Sequence, residues 1–193
     1  MYMREIIVTE FITLDGIMED PGGAENFERG GWAFKFQRGA EGDKFKLDEM
    51  LSCDAFLLGR VTYEEFAAAW PSRTGEFADM INNIRKYVVS NTLEKPAWKN
   101  SMVINGDVVD EVARLKAMDG KDILVAGSGQ LVNTLLEHDL VDELRLMVFP
   151  VILGKGKRLF NNGKAEHALQ LVESKPVGDE GVITLVYHSI KSG

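Results

Sequence analysis

The chain has 193 residues, 45% hydrophobic and 27% charged, the balance of an ordinary folded domain and not of a disordered, collagen-like or coiled-coil chain. With 22 basic and 30 acidic residues the net charge is −8, which argues against nucleic acid and anionic membranes as partners, and no apolar run approaches the roughly 20 residues of a membrane span. Three histidines and the single Cys53 exclude a Cys/His zinc cluster and an intrachain disulfide.

In chain order, Ile6-Ile7-Val8 and Phe11-Ile12 predict a strand that stops at the turn dipeptide Asp15-Gly16. The start enters this strand pattern with no signal-peptide core, so a cytoplasmic protein is expected. Residues 19–42 form a long loop carrying Gly22, Gly23, Gly30, Gly31, Gly39 and Gly42. Such a loop in a compact domain is usually functional. Its Trp32 and Phe34 suit either an aromatic wall over a heterocycle or simple loop anchors. Asp43 to Ser52 predicts a helix, Ala55-Phe56-Leu57-Leu58 a buried strand, and Thr62 to Trp70 a helix closed by Trp70-Pro71. Phe77, Met80, Ile81 and Ile84 recur at helical spacing.

Tyr87 to Val89 and Met102 to Ile104 predict short strands, and Val109, Val112, Leu115 and Met118 one helix face. Ile123 to Ala126 follows as a strand and Leu131 to Leu136 as a helix. Leu144 to Leu153, Leu169 to Val172 and Val182 to Tyr187 are then β-rich with no helix between them. This pattern predicts one α/β domain over residues 1–193, a mostly parallel sheet covered on both faces with an antiparallel C-terminal edge. Leu144 to Leu153 is apolar on both faces, so it needs cover on both. A two-fold partner on one side, and hence a homodimer, is expected.

Two strand–helix turns carry glycine. In Leu58-Gly59-Arg60-Val61-Thr62, Thr62 with Glu65 fits a helix capping box, while free first-turn N–H groups beside Arg60 suit a phosphate. In Ala126-Gly127-Ser128-Gly129-Gln130-Leu131, a G-x-G start lacks the third glycine, which is Val132. A Rossmann unit is therefore disfavoured, but a backbone cradle for a pyrophosphate stands beside the alternative of tight helix–sheet packing.

Gly59-Arg60-Val61-Thr62-Tyr63, Val88-Val89-Ser90-Asn91-Thr92 and Gly127-Ser128-Gly129-Gln130-Leu131 resemble, in this order, segments of the dihydrofolate reductase-like family. Thr13-Leu14-Asp15-Gly16 and Pro150-Val151-Ile152-Leu153-Gly154-Lys155-Gly156 resemble its riboflavin-biosynthesis branch, the C-terminal reductase domain of the deaminase/reductase. The resemblance implies a three-layer α/β/α fold and an NADPH-dependent reductase acting on a C=N or C=O bond of a pteridine-like or ribosylaminopyrimidine-like heterocycle. It implies cofactor contacts at Gly59, Arg60, Val61, Thr62, Gly127, Ser128, Gly129, Gln130 and Leu131. Ser90, Asn91 and Thr92 would lie near the adenosine ribose and its 2′-phosphate.

Reduction also needs a proton at the acceptor, commonly managed by a carboxyl group. The resemblance places Asp15 near the nicotinamide, against the plainer reading of an Asp-Gly turn. Asp43, sixteen residues before Gly59, matches the pterin-binding acid of true dihydrofolate reductases, against the plainer reading of an exposed helix N-cap. No zinc deaminase signature accompanies these motifs, so a lone domain is expected to have taken another substrate. A dihydrofolate reductase, or a non-catalytic nucleotide-binding dimer of the same fold, is the alternative.

Overall fold

The computed structural model describes residues 3–160 and 166–190. Eight strands form one sheet: β1 (Ile6–Thr13), β2 (Cys53–Gly59), β3 (Arg85–Val89), β4 (Ser101–Ile104), β5 (Asp122–Ala126), β6 (Glu143–Phe149), β7 (Leu169–Val177) and β8 (Val182–Ser189). Their spatial order is β4-β3-β2-β5-β1-β6-β8-β7. The first six run parallel, and β8 and β7 close one side as antiparallel strands. The expected mostly parallel sheet with an antiparallel C-terminal edge is what the chain forms.

Five α-helices cover it: α1 (Gly39–Ser52), α2 (Arg60–Ala69), α3 (Glu76–Asn83), α4 (Val108–Lys116) and α5 (Gly129–Glu137). Met50, Tyr63 and Ile81, from α1, α2 and α3, pack with Ile7, Phe56 and Leu58 on one face. Val112 and Leu115 of α4 and Leu131, Val132 and Leu135 of α5 pack with Val8, Leu57 and Val125 on the other. Alternate residues of one strand thus supply two different cores, the period-2 rule applied to a sheet buried on both sides.

Two local expectations are corrected. Helix α1 begins at Gly39, not Asp43, because Gly39 takes a left-handed φ of +63° where its backbone meets Gly178. A Cβ there would sit 3.1 Å from the Gly178 Cα, a long-range reason that no local pattern carries. Strand β6 ends at Phe149, before Pro150 and well short of Leu153. Its two apolar faces are covered within the chain, Leu144 and Leu146 by the α4/α5 side and Met147 and Phe149 by a third cluster around Trp32. The strand therefore gives no argument for a partner. The exposed strand is β7, which has Leu171 and Val172 in solvent, Pro176 near its end and a bulge between Leu171 and Glu173.

The glycine-rich loop is anchored. Trp32 is fully buried, its indole N–H donates to the Glu19 carbonyl at 2.8 Å, and its ring meets Phe149 edge-on at 5.4 Å. It is an anchor, whereas Phe34 stands in solvent. Asp20 is buried with a left-handed φ of +48°. Its carboxylate accepts from the N–H groups of Glu25 and Phe27, and its carbonyl from those of Gly23 and Gly31. Asp20→Ala should therefore cost about 2–3 kcal/mol, since two hydrogen bonds to a charged acceptor are lost, each worth roughly 1.5–3 kcal/mol, while the partly buried donors regain water. Asp20→Asn, which tolerates the left-handed conformation and keeps one carbonyl acceptor, should cost less. Denaturant titration checks the ranking, and limited proteolysis should find new cuts between residues 20 and 31 in the alanine variant only.

Candidate functional site

The carboxyl ends of the parallel strands converge on one edge. Pairing of β1 with β5 ends at Thr9 and Ala126, while β1 continues with β6 as far as Thr13 and Phe149. The chain leaves β1 through α1 toward β2 and leaves β5 through α5 across β1 to β6. That reversal opens a crevice between β1 and β5, the place where open α/β sheets bind ligands.

The two glycine turns meet beside it. Gly59 N–H donates to Ser128 Oγ at 2.9 Å, and Ser128 N–H donates to Thr62 Oγ1 at 2.9 Å. Thr62 thus braces the second turn across 66 residues of sequence; it lies inside α2, not at its N-cap, and the capping-box reading is corrected. Gly127 and Ser128 are both left-handed, with φ of +62°, and a Cβ on Gly127 would fall 2.8 Å from Thr62 Cγ2. A Cβ on Gly129 would fall 2.7 Å from the Sδ of Met18, which covers that turn. Both α2 and α5 start without a side-chain cap, so their first-turn N–H groups stay open to an acceptor at the same edge.

Arg60 pairs with Glu64 one helical turn on, at 2.8 Å, both side chains near half exposed. Val61, Asn91 and Thr92 are exposed, as is Gln130. Ser90 is buried and structural, its Oγ accepting from the N–H groups of Thr92 and Leu93. The side chain of Leu131 belongs to the core, so only its backbone is at the turn.

Neither proposed acid is free. One carboxylate oxygen of Asp15 accepts from the Thr13 hydroxyl at 2.6 Å and the Leu153 N–H at 3.2 Å, the other from the Gly154 N–H at 2.7 Å. Desolvation pushes its pKa up, but these bonds outweigh it and hold the group below the usual carboxylate range. Asp15 clamps the β1 turn to the segment after β6. Asp43 is largely exposed in the second turn of α1 and bonded to Arg38 at 2.7 Å. The plainer reading of an exposed helix residue holds for it, and the dihydrofolate reductase alternative loses the support it drew from that carboxylate.

Sequence reasoning missed Glu10. It is 5% exposed and lies in the middle of β1, one residue past the Thr9–Ala126 pair and so level with Gly127, and its Oε1 is buried with no hydrogen-bond partner. A glutamate inside a strand of Ile, Val, Thr and Phe was the available signal. On the α1 side of β1, Lys46 Nζ donates to Thr9 Oγ1 at 2.7 Å and pairs with the buried Glu49 at 2.5 Å. Thr9 Oγ1 in turn donates to Glu49 at 2.8 Å. Lys46 and Arg38 stand 5.2 Å and 5.6 Å from the centre of the Phe11 ring.

At the other flank, burial and then the charge of Glu25 push Glu65 of α2 up to about 7, against the pull of Lys157. A carboxyl that keeps its proton longer in the folded state than in the unfolded chain makes stability fall as pH climbs from 4.5 toward 7. Thermal melts of the protein should show this decline between pH 5 and 7, and Glu65→Gln should flatten it.

Residues 4–183 match the model of the RibD C-terminal domain family. The chain is 30% identical over 190 residues to the uncharacterized protein YyaP of Bacillus subtilis, covering 96% of this chain and 95% of that one. A putative riboflavin biosynthesis protein from Shewanella sp. PV-4 superposes with a TM-score of 0.78 at 23% identity, over 97% of this chain and 99% of the other. A dihydrofolate reductase from Enterococcus faecalis, complexed with NADP(H), superposes with a TM-score of 0.63 at 14% identity, over 99% and 100%. The three-layer fold expected from the motifs is the fold these structures share.

Proposed function

The chain belongs to the RibD C-terminal domain family, and from that premise we propose that it is an NADPH-dependent reductase delivering hydride to a C=N or C=O bond of a pteridine-like or ribosylaminopyrimidine-like heterocycle. The observation that carries the reading is the meeting of two uncapped helix starts, tied through Thr62 and Ser128, at the crevice between β1 and β5. A Cβ at Gly127 would strike Thr62, so that glycine lets the two turns pack together, and the two helix N-termini brought side by side favour the charge of a pyrophosphate.

NADPH, when bound, supplies the hydride. The chain supplies position and electrostatics. The backbones at Gly59–Thr62 and Gly127–Gly129 hold phosphate, and the exposed Asn91 and Thr92 offer donors to the adenosine ribose. Arg60 would hold the 2′-phosphate. To do so it leaves Glu64, and an exposed pair of that spacing is worth only about 0.3–0.5 kcal/mol. The bidentate, charge-assisted bonds to phosphate are stronger than the pair they replace. A heterocycle would be met on the α1 side by the Phe11 ring and by Lys46 and Arg38, which stand over that ring.

Oxidation of NADPH against a panel of pteridines and aminopyrimidines tests the activity directly; no turnover despite tight NADPH binding favours the non-catalytic alternative. Arg60→Ala should weaken NADPH about tenfold to a hundredfold, from the loss of roughly 1.5–3 kcal/mol of charge-assisted bonding. NADH should lose far less. Fluorescence titration of both nucleotides decides, and equal losses, or none, remove Arg60 from the site.

A further inference from the structure

Glu10 is a side chain that the fold leaves unexplained, its Oε1 one of four buried side-chain atoms without a hydrogen-bond partner among the described residues. It faces the α4/α5 side of β1 between Val8 and Ile12, both core residues on that side. The Thr9–Ala126 pair puts Glu10 level with Gly127, the residue at which β5 has ended and the crevice has begun. That register turns its carboxyl toward the turn that starts α5, where the Gly127 N–H favours the charged form. Its Oε1 has no partner there. A buried polar atom left unpaired in a native fold calls for a missing partner or a functional reason.

The chemistry of that partner is constrained. Uncapped N–H groups and the positive end of α5 meet at the same turn, and both favour an anionic acceptor. An ionised carboxylate would repel such a ligand. A neutral carboxylic acid would donate to it. We propose that Glu10 is a ligand-contacting residue of the crevice, its Oε1 donating an O–H hydrogen bond to a phosphoryl oxygen of the bound nucleotide. This rests on the nucleotide reading above and adds to it a side-chain contact from beneath the turn.

The protonation that this requires agrees with the surroundings. Burial drives the Glu10 carboxyl well above the usual carboxylate range, against the pull of Lys46 on α1 and of the Gly127 N–H, and the nearby charge of Glu49 adds to the rise. A phosphoryl oxygen only accepts, so the proton belongs to Glu10, and an O–H bond to an anion is of the short, strong kind. Met18, whose Sδ covers Gly129, is the side chain that yields as the ligand enters; a thioether on three rotatable bonds moves at little cost.

Binding must then hold a proton on Glu10. Calorimetric titration of NADPH, and of ADP-ribose as a pyrophosphate without the nicotinamide or the 2′-phosphate, in two buffers of different ionisation enthalpy tests this from pH 6 to pH 9.5. The expected result is affinity for both ligands falling with pH, by at most about tenfold per unit, with matching proton uptake. Glu10→Gln, a permanent neutral donor, should bind both ligands within about threefold of the wild type at pH 7.5 and lose the pH dependence and the uptake. Glu10→Leu should bind at least about tenfold more weakly, with circular dichroism showing whether it folds. A glutamine variant that loses binding, or that keeps the wild-type pH profile, overturns the proposal alone. Wild-type protein that binds neither ligand overturns the nucleotide reading together with it.

Discussion

The parting of β1 from β5 after the Thr9–Ala126 pair governs the upper edge of this sheet. Below that pair the two strands share a ladder and their side chains are plain core. Above it β1 belongs to β6 alone, and the chain leaving β5 bends through Gly127 and Ser128 into α5. Each extra residue of β1–β5 pairing would carry the Gly127 turn away from Thr62 and shut the crevice from below. The gap is a property of connectivity, since helices leaving adjacent parallel strands in opposite directions cannot both lie over the same seam.

Around that gap the loops are held by polar groups, not by apolar packing alone. The Ser128 hydroxyl and the Thr62 hydroxyl tie one turn to the other. Asp15 fastens the end of β1 to Leu153 and Gly154, and Asp20 closes the glycine-rich loop on itself. Local stability is therefore high where a binding surface usually is most mobile. Turns fixed in this way bind with little backbone ordering cost, which leaves the side chains of Arg60 and Met18 to move.

Much of the fold was legible in the sequence because periodicity and turn chemistry are local. The alternation of apolar runs with helical spacing, the closing β-rich stretch and the order of the motifs all survive in the structure. What was not legible depends on distant partners. Thr62 reads as a cap until Ser128 is beside it, and Asp15 reads as a free acid until the chain returns with Gly154. Gly39 reads as loop until Gly178 arrives. Glu10 is an anomaly only once β1 is seen buried on both faces, because a lone polar residue in a strand fits a solvent face equally well.

The two ends of the sheet differ from its middle in a way that bears on life at high concentration. A long, flat, unpaired strand edge recruits other chains by backbone hydrogen bonding, the first step toward fibrous aggregates. Here one end is β4, only four residues long. The other is β7, nine residues long, but its bulge at Leu171/Glu173 bends it and its Pro176 lacks an N–H, with Glu173 and Lys175 adding charge between them. A further strand finds no straight run of donors and acceptors to zip against. The exposed Leu171 and Val172 can thus stand in solvent without turning the sheet into a template for its own polymerisation.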